Sequence, residues 1–177
     1  MTLAASLKVW SAWQRLWHWA LALSVLVALF THEGGNLHEG AGYLALALAS
    51  IRMILGFWGS HAVRFASFTR GYRDTLHYAS TVLRGKEARH LNHNPLGAWM
   101  VIILLSLALV GGLFGWIYTT DRFWGVTWVG NLHALFTWPF MVLIALHLLG
   151  VLLAGLRHRE NLVAAMMHGR KRPLDEP

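Results

Sequence analysis

The chain has 177 residues, of which 56% are hydrophobic and 13% charged; soluble domains carry roughly 25% charged residues, so composition argues against a water-soluble globule and against a disordered chain. There is no cysteine, which excludes a disulfide framework, thiolate-held iron–sulfur clusters, a Cys-ligated zinc site and covalent c-type haem. The formal net charge is +7, and its placement along the chain speaks for a membrane rather than for nucleic acid.

A helix needs about 20 apolar residues to cross the hydrocarbon core, and four runs qualify. The first covers about residues 10–31 and is densest in LWHWALALSVLVALF. Its end, Ala28-Leu29-Phe30-Thr31, lacks a small-x-small cleavage site and the run carries His18, so it reads as a span and not as a cleaved signal peptide. The second run covers about 38–59. A basic loop, 61–94, follows. Within it Phe68–Leu83 reads either as an amphipathic helix on the anionic inner leaflet, with Phe68, Tyr72, Leu76 and Leu83 on its apolar side, or as a plain basic connector. The third run, about 95–117, opens on Asn94-Pro95, and Pro suits a first helical turn because its missing N–H is not needed there. The fourth covers about 132–156, and a tail, 157–177, closes the chain. Trp10, Trp13, Trp58, Trp99, Trp116, Tyr118 and Trp128 lie near the run ends, as an interfacial belt requires. The expected fold is an all-α integral membrane four-helix bundle forming one domain.

Lys and Arg set the orientation. Lys8 and Arg15, six Arg or Lys of the 61–94 loop, and Arg157, Arg159, Arg170, Lys171 and Arg172 fall on one side. The other side has Arg122, and Arg52 lies inside the second run. Both termini and the long loop are therefore expected on the cytoplasmic side of a bacterial inner membrane.

Ionisable residues inside a span are costly and mark function. His133 and His147 are 14 residues apart in the fourth run; 14 helical steps return to within about 40° and rise about 21 Å. The two histidines thus share one face at two depths. His18 enters from the cytoplasmic side and pairs in depth with His147. His38, at the outer end of the second run, pairs with His133. His32 is a rival at the outer rim, and Gly40, Gly42 and the phase of Arg52 favour His38. Two stacked His–His pairs are what a bundle needs to clamp two haems between facing helices, and two axial imidazoles fill the coordination of a haem iron. The metal ligands expected are His18 and His147 for an inner haem iron, and His38 and His133 for an outer one.

Haem propionates need paired charge. Arg52 follows His38 by 14 residues, on the same face in the inner half, and its guanidinium fork suits a carboxylate. Arg15, one turn before His18, either meets a propionate or snorkels to the interface. Gly42, Ala45, Ala49, Ala145 and Gly150 would let a flat macrocycle, or another helix, come close. His61, His77, His90, His93, His158 and His168 read as solvated residues of the basic side. In HEGGNLHEG a zinc-protease motif would need His at position 36, which is Asn36; a surface metal site of His32, Glu33, His38 and Glu39 is the remaining metal alternative. No catalytic residue is assigned.

With these motifs in order, the sequence resembles the bacterial cytochrome b-561 superfamily, which includes the cytochrome b subunit of nickel-iron hydrogenases. The carriers are RLWHWALALS around His18, LHEGAGYLALALASIRMILGFWG with His38 and Arg52, HNPLGAWMV, NLHALFTWPFMVLIALHLLGV with His133 and His147, and HRENLVAAMMHGRKR. The resemblance implies a four-helix anchor holding two non-covalent haem b groups and passing electrons between membrane quinone and a periplasmic partner, such as a c-type cytochrome or a hydrogenase. The length is closer to that of stand-alone members, some of which resemble superoxide-to-quinone oxidoreductases. Against that role, the outer connections carry Arg122 against Glu33, Glu39 and Asp121, a poor lure for an anion. A haem-free membrane anchor or transporter with polar histidines inside is the alternative of another class.

Overall fold

The computed structural model describes residues 6–31, 34–61 and 63–173. The chain is all-helical apart from one short ribbon. In order it forms strand β1 (Leu7–Lys8), helix α1 (Ala12–Phe30), helix α2 (Asn36–Trp58), a 3₁₀ turn (Phe65–Ser67), helix α3 (Tyr72–Leu83), helix α4 (Pro95–Tyr118), helix α5 (Thr127–Arg157), helix α6 (Leu162–His168) and strand β2 (Arg170–Lys171).

Local chemistry sets the boundaries. Ser11 and Gln14 form a reciprocal capping box at the start of α1, with N–H···O distances of 3.2 and 2.9 Å. Asn94 caps α4 by accepting from the Gly97 N–H at 2.7 Å, and Pro95 takes the first helical position. Helix α5 starts five residues before the expected fourth run, at Thr127, which shortens the outer connection. Helix α3 starts at Tyr72, so Phe68 lies outside it. On α3 Tyr72, Leu76 and Leu83 are exposed and Tyr78 is buried against the rest of the protein.

Three of the helices, α2, α4 and α5, are long and apolar enough to cross a membrane. Helix α1 is less apolar than these, because Gln14, Arg15 and His18 occupy its first two turns. The helices pack in series: α1 on α2, α2 on α4, and α4 on α5. Helix α4 makes this close packing possible with a glycine stripe. A Cβ on Gly112 would stand 3.2 Å from Leu46 of α2, and one on Gly111 would stand 3.8 Å from Phe136 of α5. Ala49, Phe65, Leu105 and Ala108 form the buried core between them. Helix α5 is apolar along its length yet Val129 is its one buried residue; large side chains such as Trp138 and Leu156 face outward, as they would toward lipid.

The tail is folded. Asn161 caps α6 by accepting from the Ala164 N–H at 2.8 Å. Gly169 ends it in the left-handed region at φ 81°, where glycine is unstrained. The Gly169 carbonyl accepts from the N–H groups of Val9 and Trp10, and β2 pairs antiparallel with β1, Leu7 opposite Lys171. Arg89 binds Glu160 at 2.8 Å, and Arg157 binds Glu87 at 2.8 Å. These contacts fasten the 85–94 segment to the end of α5 and to the tail.

Candidate haem sites

The outer site rests on two helices that approach at one level. His38 lies in the first turn of α2 and His133 in the second turn of α5. Their rings stand 5.9 Å apart between centroids and nearly perpendicular, at 88°. Each Nδ1–H donates to a backbone carbonyl: His38 to Ala28 of α1 at 2.9 Å, His133 to Gly111 of α4 at 2.8 Å. A carbonyl can only accept, so Nδ1 carries the proton in both rings and Nε2 keeps its lone pair. This is the second-shell arrangement that orients an imidazole toward a metal. Gly115 adds to it, since a Cβ there would stand 3.0 Å from His133 Cε1.

The inner site gathers more residues. His18 of α1 and His147 of α5 are near enough for their charges to interact. His18 Nδ1 is buried with no partner among the described residues, as is Arg52 Nη1. The Arg52 guanidinium lies over the Phe65 ring, 4.9 Å from its centroid. His38 and His133 are thus neighbours, while for His18 and His147 an electrostatic influence of one on the other is what is seen.

His93 departs from the expectation of a solvated residue. Its ring stacks on Phe68 at 4.7 Å and meets the edge of Trp10 at 5.0 Å. Burial, followed by the charges of Arg52, Lys171, His147 and His18, pushes its imidazole down to about 4. Its ring is therefore neutral at neutral pH. His61, His77, His90 and His168 are exposed, and His90 also meets Tyr78 at 5.3 Å. Arg15 donates to the Met167 carbonyl and ties α1 to α6. His32 and Glu33, two members of the alternative surface metal site, lie outside the described residues.

These residues fit haem better than a bare metal ion. Among the described residues no three His, Asp or Glu side chains converge on one point, whereas a haem iron takes two ligands from the protein and the rest from its macrocycle. Two imidazoles on opposite sides of one metal, with metal–nitrogen bonds of about 2 Å, have centroids about 6 Å apart, close to the outer pair's spacing. Helix α5 packs broadly on α4, with little or no backbone packing on α1 or α2. A Cβ on Gly42, one turn after His38, or on Gly150, one turn after His147, would meet nothing within 4 Å. Ala49 instead belongs to the packed core beside α4.

Residues 9–169 match the family described as prokaryotic cytochrome b561. The chain belongs to that family. It is thus a membrane haem protein of the cytochrome b561 type, with electron transfer as its role. It is 22% identical over 215 residues to a probable Ni/Fe-hydrogenase B-type cytochrome subunit of Rhizobium leguminosarum bv. viciae, an alignment covering 94% of this chain and 89% of that protein. No solved structure matches the chain.

The sequence reading missed the α4 glycines and His93. The spacing Gly111-x₃-Gly115 is a known signature of close helix approach in membranes and could have flagged the first. His93 has no such signal, because the rings that enclose it come from distant segments.

Proposed function

We propose that this cytochrome b561 holds two haem b groups, each between two histidines, and carries electrons between membrane quinone and a redox partner outside the inner membrane. His38 and His133 hold the outer haem iron, and His18 and His147 the inner one. The observation that carries the reading is the outer pair, with facing rings and both Nδ1 protons committed to carbonyls. Such an arrangement fixes both rings before any ligand arrives, so little ordering remains to be done on binding.

A haem held by two histidines would supply single-electron exchange at its iron and would leave no position for oxygen chemistry. The chain's own residues do the rest. Ala28 and Gly111 carbonyls hold the outer rings in one tautomer. Arg52 places positive charge at the inner level, where a propionate would otherwise be a buried unpaired anion. His133 and His147 set the two sites about 21 Å apart along α5, so that electrons cross the insulating layer in two stages.

Four spans suit this arrangement, with α1 as the fourth. Its 19 residues measure about 28 Å at 1.5 Å per residue, close to the hydrocarbon thickness of about 30 Å. Both termini and the 61–94 loop then face the cytoplasm. The partner outside is a c-type cytochrome or a hydrogenase, the latter suggested by the relative's name.

The test is a haem count on detergent-purified protein, with reduced and oxidised spectra and a pyridine extract, followed by stopped-flow mixing with quinols. Two b haems per chain and reduction by a quinol are expected. A colourless protein would leave only a membrane anchor. Haems that remain oxidised with every quinol and with candidate partners present would sink the quinone role. Quinone-dependent turnover with superoxide alone would replace the partner by that radical.

A further inference from the structure

We infer that His93 is a second seat for a carboxylate of the inner haem, working beside Arg52. The inference rests on the proposed bis-histidine inner haem. Arg52 Nη1 is buried and lacks a partner among the described residues. From its guanidinium a ladder of rings leads to His93: Arg52 over Phe65 at 4.9 Å, Phe65 to Phe68 at 6.0 Å, Phe68 to His93 at 4.7 Å, and His93 to Trp10 at 5.0 Å. The ladder packs Arg52 and His93 into one connected run of rings, and His93 lies within electrostatic reach of Arg52, His18 and His147.

Among the described residues no carboxylate pairs with Arg52 or His93, and two carboxylates of this side are engaged elsewhere: Glu160 with Arg89 and Glu87 with Arg157. Lys171 adds a further cation, buried and acting on His93. A buried guanidinium nitrogen left unpaired is costly, so the site suits an anion supplied with a ligand. Haem b carries two carboxylates on one edge. One guanidinium suits one of them in a forked pair, and in this inference the imidazole N–H of His93 serves the other. His93 is thereby a positioning residue that steadies the macrocycle and raises the iron's affinity for an electron, since an uncompensated carboxylate favours ferric iron.

The experiment is a spectroelectrochemical titration of the purified full-length protein, its His93→Leu and His93→Gln variants, and each reconstituted with haem dimethyl ester. His93→Leu should lower the midpoint potential of the haem that His18→Ala removes and leave the other unchanged. His93→Gln, which keeps an N–H donor, should restore it. In the ester-loaded protein His93→Leu should have no effect. An unmoved potential in His93→Leu, with both haems present, overturns this inference alone. A shift that persists with the ester also overturns it, and points to another anion at the site. A protein from which His18→Ala removes no haem overturns the reading beneath it.

Discussion

Gly115 and His133 occupy what would be a single side-chain volume. A Cβ on Gly115 would stand 3.0 Å from His133 Cε1 and 3.1 Å from Nδ1, while that same Nδ1 reaches past it to the Gly111 carbonyl one turn earlier. Glycine here is a condition for the ring's orientation.

Enlarging Gly115 is therefore expected to act on the outer haem alone. Gly115→Val should lower haem content from two to one per chain and leave the inner haem's spectrum unchanged. Gly115→Ala, where a shift of a few tenths of an ångström suffices, should keep both haems and move only the outer potential. Pyridine extracts and redox titration of purified variants would check this, and loss of both haems in Gly115→Val would contradict it.

Removing ligands should sort into two classes. His38→Ala and His133→Ala are each expected to lose the same haem, and the double variant no more than either single one. His18→Ala and His147→Ala should lose the other. Members of one unit are non-additive in this way. Low-temperature spectra that resolve the two haems would read the result, and crossed losses between the pairs would redraw the assignment.

Gly56 offers a test on stability. A Cβ there would come within 2.1 Å of the Phe65 ring, which is 5% exposed and carries Arg52. Gly56→Ala must displace that ring, and overpacking of this kind costs about 1–3 kcal/mol. A lower Tm is expected, with the inner haem lost first. Gly40→Ala, at a site where a Cβ meets nothing within 4 Å, is the matched control and should hold or raise Tm, because Ala favours a helix by about 1 kcal/mol over Gly.

The tail should release in acid. Burial pushes the Glu160 carboxyl up, but the hydrogen bond from Arg89 and the charges of Lys171 and Arg89 outweigh it and hold the group below the ordinary carboxylate range. A carboxyl depressed in the folded state stabilises it above the unfolded pKa, about 4.3 for Glu, and that contribution fades as pH falls through the lower folded value. Hydrogen exchange in residues 158–173 is expected to rise below about pH 4. Glu160→Gln should show raised exchange already at pH 7, having lost a charged hydrogen bond of about 2 kcal/mol. Exchange independent of pH in the wild type would refute this.

Much of this was legible in the chain itself. Apolar runs located α2, α4 and α5, because a lipid solvent makes hydropathy a near-direct readout of crossing. Fourteen-residue spacing placed His133 and His147 on one face. What was not legible depends on contacts distant in sequence. The carbonyls of Ala28 and Gly111 that orient the outer rings carry no side-chain signature. His93 sits in a polar loop and is enclosed only because Phe68 and Trp10 fold over it. The tail's docking arises from Gly169 turning left-handed beneath Trp10, a conformation that composition alone does not announce. Arg15, read as a propionate partner or an interfacial anchor, is found on the Met167 carbonyl.

The small ribbon of Leu7–Lys8 with Arg170–Lys171 bears on topology through parity. Two strands joined by hydrogen bonds occupy the same side of a bilayer, so the chain between them crosses an even number of times. Helices α2, α4 and α5 alone would make that number odd. The remaining long helix between the strands is α1, and counting it restores an even total. A four-residue contact at the margin of the fold thus favours a crossing that hydropathy by itself leaves below threshold.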